Sequence, residues 1–244
     1  MSTASESPAF STFRRNISRM VHLFELLDES VDRTSSELSS FKSLPSTEDP
    51  EEVKQRTEKG ENLNARISKI NAQMDLSTEW GCVMLVTCAE TYLQDALSYF
   101  AGLDSTLMND SDQKASYREV ISAASVDELA EELRGRWARN VIDDGGPRKW
   151  VDRFRRMGAA TLENFDGGPM EELWGSRHLI VHRAGKVTRD FLSRHPNCAA
   201  AVGDQLVIPW QKLSEYVKST RAFVVTVEQF LNNRQAGRSR QNAS

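Results

Sequence analysis

Apolar side chains in the first forty residues recur at alternating steps of three and four. Phe10, Phe13, Ile17, Met20, Phe24, Leu27, Val31, Thr34, Leu38 and Phe41 form one unbroken series. That spacing keeps them on a single stripe of an α-helix, the seam of a coiled-coil-like pair. A second series, Val53, Arg56, Gly60, Leu63, Ile67, Ile70 and Met74, repeats the steps, with Arg56 and Gly60 as weak positions. Between them Ser43–Asp49 is polar and punctuated by Pro45 and Pro50, which marks a turn. Two long helices across a short turn fold back as an antiparallel hairpin, expected over residues 10–76. Residues 1–9 are small and polar and are expected to be disordered.

From residue 77 the pattern changes. Trp80, Val83, Met84, Leu85, Cys88, Tyr92, Leu93, Ala96, Leu97 and Phe100 cover more than one stripe, which predicts a central, largely buried helix over 77–101. Glu90 and Asp95 interrupt it, and a buried carboxylate needs a partner. For Asp95 a solvated edge is an equal alternative. A loop is expected at Asp104–Ser111 and a short helix near Gln113–Ala124. Ser125-Val126-Asp127-Glu128 then has the capping-box form that starts a helix, which should run to about Ile142 and stop at Asp143-Asp144-Gly145-Gly146. Pro147 opens a helix to Met157, and Gly167-Gly168-Pro169 opens another. Glu171 and Glu172 suit the positive end of that second helix, and Gly185 marks its end. Residues 186–209 read as irregular, with a Gly203-Asp204 turn and an extended piece at Gln205–Ile208. Trp210, Leu213, Val217, Phe223, Val224, Val227, Phe230 and Leu231 outline a last amphipathic helix. The chain is therefore expected to be all-α, with a helical domain over 77–233 and a free polar tail at 234–244.

With 244 residues, the chain is long enough to bury roughly 70–75% of its unfolded surface without staples. Hydrophobic residues make up 39%, charged residues 27%, and the formal net charge is −4. Attraction of the whole molecule to nucleic acid is thus excluded, and RNA binding requires a local basic patch. Cys82, Cys88 and Cys198 are odd in number and irregularly spaced; the first two read as small buried hydrophobes, not as a disulfide framework. No secretory signal pattern opens the chain, and its longest apolar stretch, around Cys82–Val86, is far short of a membrane span. A reducing, cytoplasmic location without membrane contact is expected.

The candidate chemistry lies in Arg177-His178-Leu179-Ile180-Val181-His182. A guanidinium is permanently charged and can hold a phosphate oxygen, while an imidazole moves protons near neutral pH. Together they supply the ingredients of metal-free RNA cleavage. Residues five apart diverge by about 140° around an ideal helix, so Arg177 and His182 of one straight helix do not aim at one point. A metal reading competes, because His178, His182, His195 and Cys198 are donors of suitable type. The helix at 147–157 is the best nucleic-acid feature: Arg148, Lys149, Arg153, Arg155 and Arg156 surround Trp150 and Phe154. Cations interleaved with aromatics suit a phosphate backbone and exposed bases. The alternative is a solvated basic face with Trp150, Val151 and Phe154 packed inward. Gly-rich phosphate loops, serine-nucleophile elbows and paired-cysteine clusters are absent from the sequence.

The segment EELWGSRHLIVHRAGKV resembles the motif helix of HEPN domains, in which Arg is followed by a polar residue and His comes four to six residues after Arg. His178 fills the polar slot, more often Asn or Asp in that family. The resemblance extends to a preceding helix with an acidic side chain, Glu90 in ETYLQDALSYF, and to GDQLVIP leading into a last amphipathic helix. It covers roughly residues 77–233 and implies a HEPN-like antiparallel bundle. It also implies a metal-independent endoribonuclease, with no cofactor, whose active site forms across a homodimer and leaves a 2′,3′-cyclic phosphate and a 5′-hydroxyl. On that resemblance His182 transfers protons, Arg177 meets phosphate charge, and His178 and Glu90 are orienting groups. Such families serve as toxins or antiviral effectors and imply a cognate antitoxin or regulatory partner. The alternatives are a non-catalytic dimerisation or interaction module and a nucleotide-binding protein.

Overall fold

The computed structural model describes residues 6–44, 49–108, 114–143 and 145–241; of residues 239–241 only the backbone is described. It is all-α. Among the described residues eight helices follow in order: α1 Pro8–Lys42, α2 Pro50–Leu103, α3 Tyr117–Ser122, α4 Val126–Asp143, α5 Gly146–Arg156, α6 Gly168–Arg183, α7 Arg189–Arg194 and α8 Trp210–Gln241. Short 3-10 turns lie at Ser105–Met108 and Ala160–Leu162. Among the described residues the only β-type pairing is an isolated antiparallel bridge between Lys186 and Gln205.

The two heptad-like series form the long pair α1 and α2, which pack on each other as the seam spacing requires. Phe10, Phe13, Ile17, Phe24 and Thr34 are buried along α1, and Leu63 and Ile70 answer them from α2. Pro45, expected to mark the turn between these helices, lies outside the described residues. α2 is one helix of 54 residues, roughly 80 Å long at 1.5 Å per residue. The boundary expected at residues 76 and 77 therefore falls inside a continuous helix. The central stretch is buried along Cys82, Leu85, Ala89, Tyr92, Leu93, Ala96 and Leu97, where α2 meets α4, α6 and α8. Two residues of the expected central set face out instead: Trp80 is 60% exposed and Met84 47%. They lie on the flank of α2 that turns away from these neighbours. Gly81, one residue from Trp80, is where α1 and α8 converge: a Cβ there would lie 2.8 Å from Phe24 and 2.7 Å from Leu213.

Both chain ends differ from the expected disorder. Residues 1–5 lie outside the described set, but Ser7 is buried and caps α1, its hydroxyl accepting from the Phe10 amide at 3.2 Å. Ser7 also donates through its amide (2.8 Å) and hydroxyl (2.9 Å) to the carboxylate of Glu228 on α8. Tyr92 donates to the same carboxylate at 3.0 Å, and Asn232 at 3.1 Å. Burial and the adjacent Glu228 carboxylate push the Tyr92 phenol well above its ordinary range. One buried carboxylate thus ties the start of α1 to α2 and α8. At the other end α8 continues to Gln241, past the expected start of a free tail at residue 234. Arg234 donates to the buried Asp104 at 3.0 Å, and Arg238 pairs with it as well. A helix whose last turns are fastened to the end of α2 does not fray where polarity alone would predict.

The helix starts follow local chemistry. Ser116 and Glu119 form a full capping box at α3; the expected helix began at Gln113, which lies outside the described residues. Ser125 caps α4 through the Glu128 amide at 3.1 Å, while the Glu128 carboxylate accepts from the Ala124 amide at 2.6 Å. Asp144, in the expected stop after α4, is likewise outside the described residues. The segment expected to be irregular contains α7, whose start is fixed by the Thr188 hydroxyl accepting from the Phe191 amide at 3.2 Å.

Candidate functional site

α6 carries the Arg-His motif and lies against α2, α5 and α8. Met170, Leu173, Ser176 and Leu179 form its buried face, so the residues between them turn outward or sideways. The helix ends on Ala184 (φ 50°) and Gly185 (φ 75°), both left-handed. The Ala184 and Gly185 amides both bond back to the Leu179 carbonyl, the latter at 2.9 Å, a left-handed helix ending for which glycine is suited. His182 and Arg183 occupy the last turn, where the negative end of the helix dipole favours cations.

His178 and His182 are one turn apart and both exposed, with ring centroids 4.8 Å apart and planes inclined at 48°. Arg177 is less open to solvent than either imidazole. It is partly buried, and its Nε is fully buried without a hydrogen-bond partner. Its charge reaches Glu90 of α2 as well as His178: burial pushes the Glu90 carboxyl above its usual range, the Arg177 charge pulls it back, and Asp143 of α4 pushes it up again. The divergence anticipated from helical geometry is therefore present in the fold. The motif splits into a partly buried Arg177, whose charge reaches the half-buried Glu90, and an exposed, ring-contacting pair, His178 and His182. Asp95 is exposed, on a solvated edge of α2.

Desolvation lowers His178 below the ordinary imidazole value of 6.5, and His182, Arg183, Arg177 and Arg194 lower it further by charge repulsion. An NMR titration of the imidazole resonances should place the His178 midpoint below 6.5, and added salt should bring it back upward as those charges are screened. The sign follows from linkage. The unfolded chain binds a proton at this position at a higher pH than the folded one. His178 therefore costs stability as pH falls through 6.5 and costs none well above it. A midpoint at or above 6.5 would contradict the placement of those cations.

Beside His178 lies a cleft of about 310 Å³ between α6 and α7, walled by Trp174, Leu179 and Phe191 and rimmed by His178, Arg183 and Arg194. α7 can sit this close because residue 175 is glycine: a Cβ there would lie 3.0 Å from the His195 ring and 3.1 Å from Phe191. The sequence reading missed α7 and hence Arg194; the available signal was Thr188 followed by Asp190, a cap residue and an acidic first-turn residue.

The metal alternative is not supported by the arrangement. His195 packs its ring on Phe191 at 4.7 Å. Among the described residues no three His, Cys, Asp or Glu side chains are gathered as a metal ion would need, so His178, His182, His195 and Cys198 do not form a ligand set.

On α5 the structure decides between the two readings of the aromatics. Trp150, Val151 and Phe154 are buried. Trp150 donates to the Ile142 carbonyl at 2.9 Å and stacks on Phe223 of α8, so neither aromatic is open to a base. The cations divide by role. Arg155 holds the turn after α5, donating to the Leu162 and Glu163 carbonyls at 3.0 Å each. Arg148, Lys149 and Arg156 are exposed on the outer face, and Arg153 is partly buried.

No helix among the described residues is long and apolar enough to cross a membrane. Comparison with family models, with curated proteins and with solved structures gives no match, so the likeness of α6 to the HEPN motif helix rests on the residues of this chain alone.

Proposed function

We propose that the protein is a metal-independent endoribonuclease of HEPN type, acting as a homodimer. The observation that carries this reading is the outward pair His178 and His182 on α6, exposed and 4.8 Å apart. Cleavage without metal needs a base for the 2′-hydroxyl, an acid for the leaving 5′-oxygen and a cation for the charge developing on phosphorus. In the proposed two-fold dimer, α6 meets its mate and two copies of His182 share one phosphodiester. His182 transfers protons and His178 orients it. Arg177 supplies charge from behind, with Glu90 setting its position. The outer cations of α5 guide the RNA backbone. A role as a toxin or antiviral effector, held in check by a cognate partner, follows by analogy with the family.

A second reading, a non-catalytic interaction module, is favoured by one specific observation. Arg177 is partly buried with its Nε enclosed, and its charge offsets the burial of Glu90, a service to the fold that needs no catalysis. Product analysis separates the two. Purified protein incubated with mixed RNA should yield 2′,3′-cyclic phosphate and 5′-hydroxyl ends, undiminished by EDTA. Intact RNA would favour the interaction module; 3′-hydroxyl ends, or strict loss of cleavage in EDTA, would overturn the proposed chemistry.

A further inference from the structure

We infer that the cleft between α6 and α7 is a subsite for one nucleotide of the RNA chain, in which Trp174 faces the base and Arg183 and Arg194 take its phosphate. This rests on the proposed nuclease reading and moves the phosphate-binding charge from Arg177 to two cations outside the motif.

Three features converge on it. The first is shape: about 310 Å³ between two helices lies at the lower end of the range for small-ligand sites, enough for one nucleotide-sized group. The second is the division of the lining into an apolar wall and a cationic rim. Trp174 is held on edge against Trp150, 4.8 Å between ring centroids at 84°, which fixes one flat side chain at the wall. Planar bases stack on such rings without sequence preference. Two carboxylates also border the cleft: Glu171 accepts from the Arg148 amide, and Asp190 pairs with Arg194, so a phosphate must share Arg194 with Asp190 while Arg183 stands exposed on the rim. Arg183 and His178 complete the rim. The third feature is continuity. His178 is at once a lining residue of the cleft and the neighbour of His182. A nucleotide seated in the cleft therefore places its phosphate beside the outward imidazole pair, whereas Arg177 does not line the cleft.

The test is binding, read without turnover. The full chain is titrated with each of the four nucleoside 3′-monophosphates and with inorganic phosphate, following the His178 imidazole resonances. At least one nucleotide should bind ten times more tightly than phosphate and raise the His178 midpoint, since a bound anion favours the imidazolium. Equal affinity for phosphate and all four nucleotides would overturn the subsite. Arg183→Ser combined with Arg194→Ser should weaken nucleotide binding at least tenfold, with circular dichroism confirming the helical fold. Each single variant provides the same comparison if the double variant does not fold. Unchanged affinity in folded variants would overturn the assignment.

A 2′-deoxy trinucleotide, which lacks the attacking hydroxyl and stays intact, should bind at least ten times more tightly than any mononucleotide. The reverse order would make the cleft a free-nucleotide site and overturn its place on an RNA chain. Because nothing is cleaved in these titrations, the two proposals fail separately. Nucleotide binding without any RNA cleavage would remove the nuclease, while RNA cleavage with nucleotide affinity indifferent to Arg183 and Arg194 would remove the subsite.

Discussion

His182→Ala is expected to lower RNA cleavage by about 10²–10⁴-fold, the usual contribution of a positioned proton-transfer group. That is roughly 3–5 kcal/mol of transition-state stabilisation. The side chain is exposed on the last turn of α6, and its ring contact is with His178, so its loss should change stability by no more than about 0.5 kcal/mol. Cleavage rate and thermal stability are thus expected to separate. Initial rates on a labelled RNA, measured alongside a melting curve and the sedimentation of the dimer, make the comparison. Cleavage within twofold of the parent in a folded, dimeric His182→Ala protein would remove His182 from the mechanism. Arg177→Ala should also abolish cleavage, but it is a less clean probe: the guanidinium opposes the burial cost of Glu90, so part of any loss would come through the fold.

Glu228→Ala should be the most damaging change away from α6. The Glu228 side chain is 4% exposed and accepts from the Ser7 amide and hydroxyl, Tyr92 and Asn232. Truncation leaves the Ser7 amide and hydroxyl without their acceptor in a dry site and the Tyr92 hydroxyl with only the Val224 carbonyl at 3.4 Å, and each buried unsatisfied donor costs on the order of 1–3 kcal/mol. Relaxation of the chain start will return part of this, for a net loss of about 3 kcal/mol. For a chain of this length that is roughly 6–12 °C in Tm. Glu228→Gln, which keeps the volume and one acceptor, should lose about half as much. A melting temperature unchanged in both variants would show that the link between α1 and α8 contributes nothing to stability.

The fold was largely legible because seam periodicity and cap chemistry are local. Phe10 to Phe41 and Leu63 to Ile70 could be placed on one stripe from spacing alone, and Ser125 with Glu128 announced the start of α4. What escaped the sequence depends on contacts across the chain. Nothing near Ser7 or Arg238 points to Glu228 or Asp104, which lie more than a hundred residues away, so polar ends read as free ends. Trp80 is an aromatic in an apolar run, and only the positions of α1, α4 and α8 around α2 decide that it faces water. The site was half legible. Helical geometry already separated Arg177 from His182, whereas the cleft beside His178 needs α7, a helix too short to leave a periodic signature.

α2 runs as unbroken helix from Pro50 to Leu103 with no proline after its first residue, and proline is one of the commonest causes of a sharp kink. Pro50, beside the hairpin turn, and Glu90, beside Arg177, are therefore carried on one rod, about 60 Å apart at 1.5 Å per residue. A force applied where α1 meets α2 has no joint in which to dissipate before it reaches the carboxylate. Whatever grips the far end of this arm holds the same rod that packs against α6, without touching α6 itself.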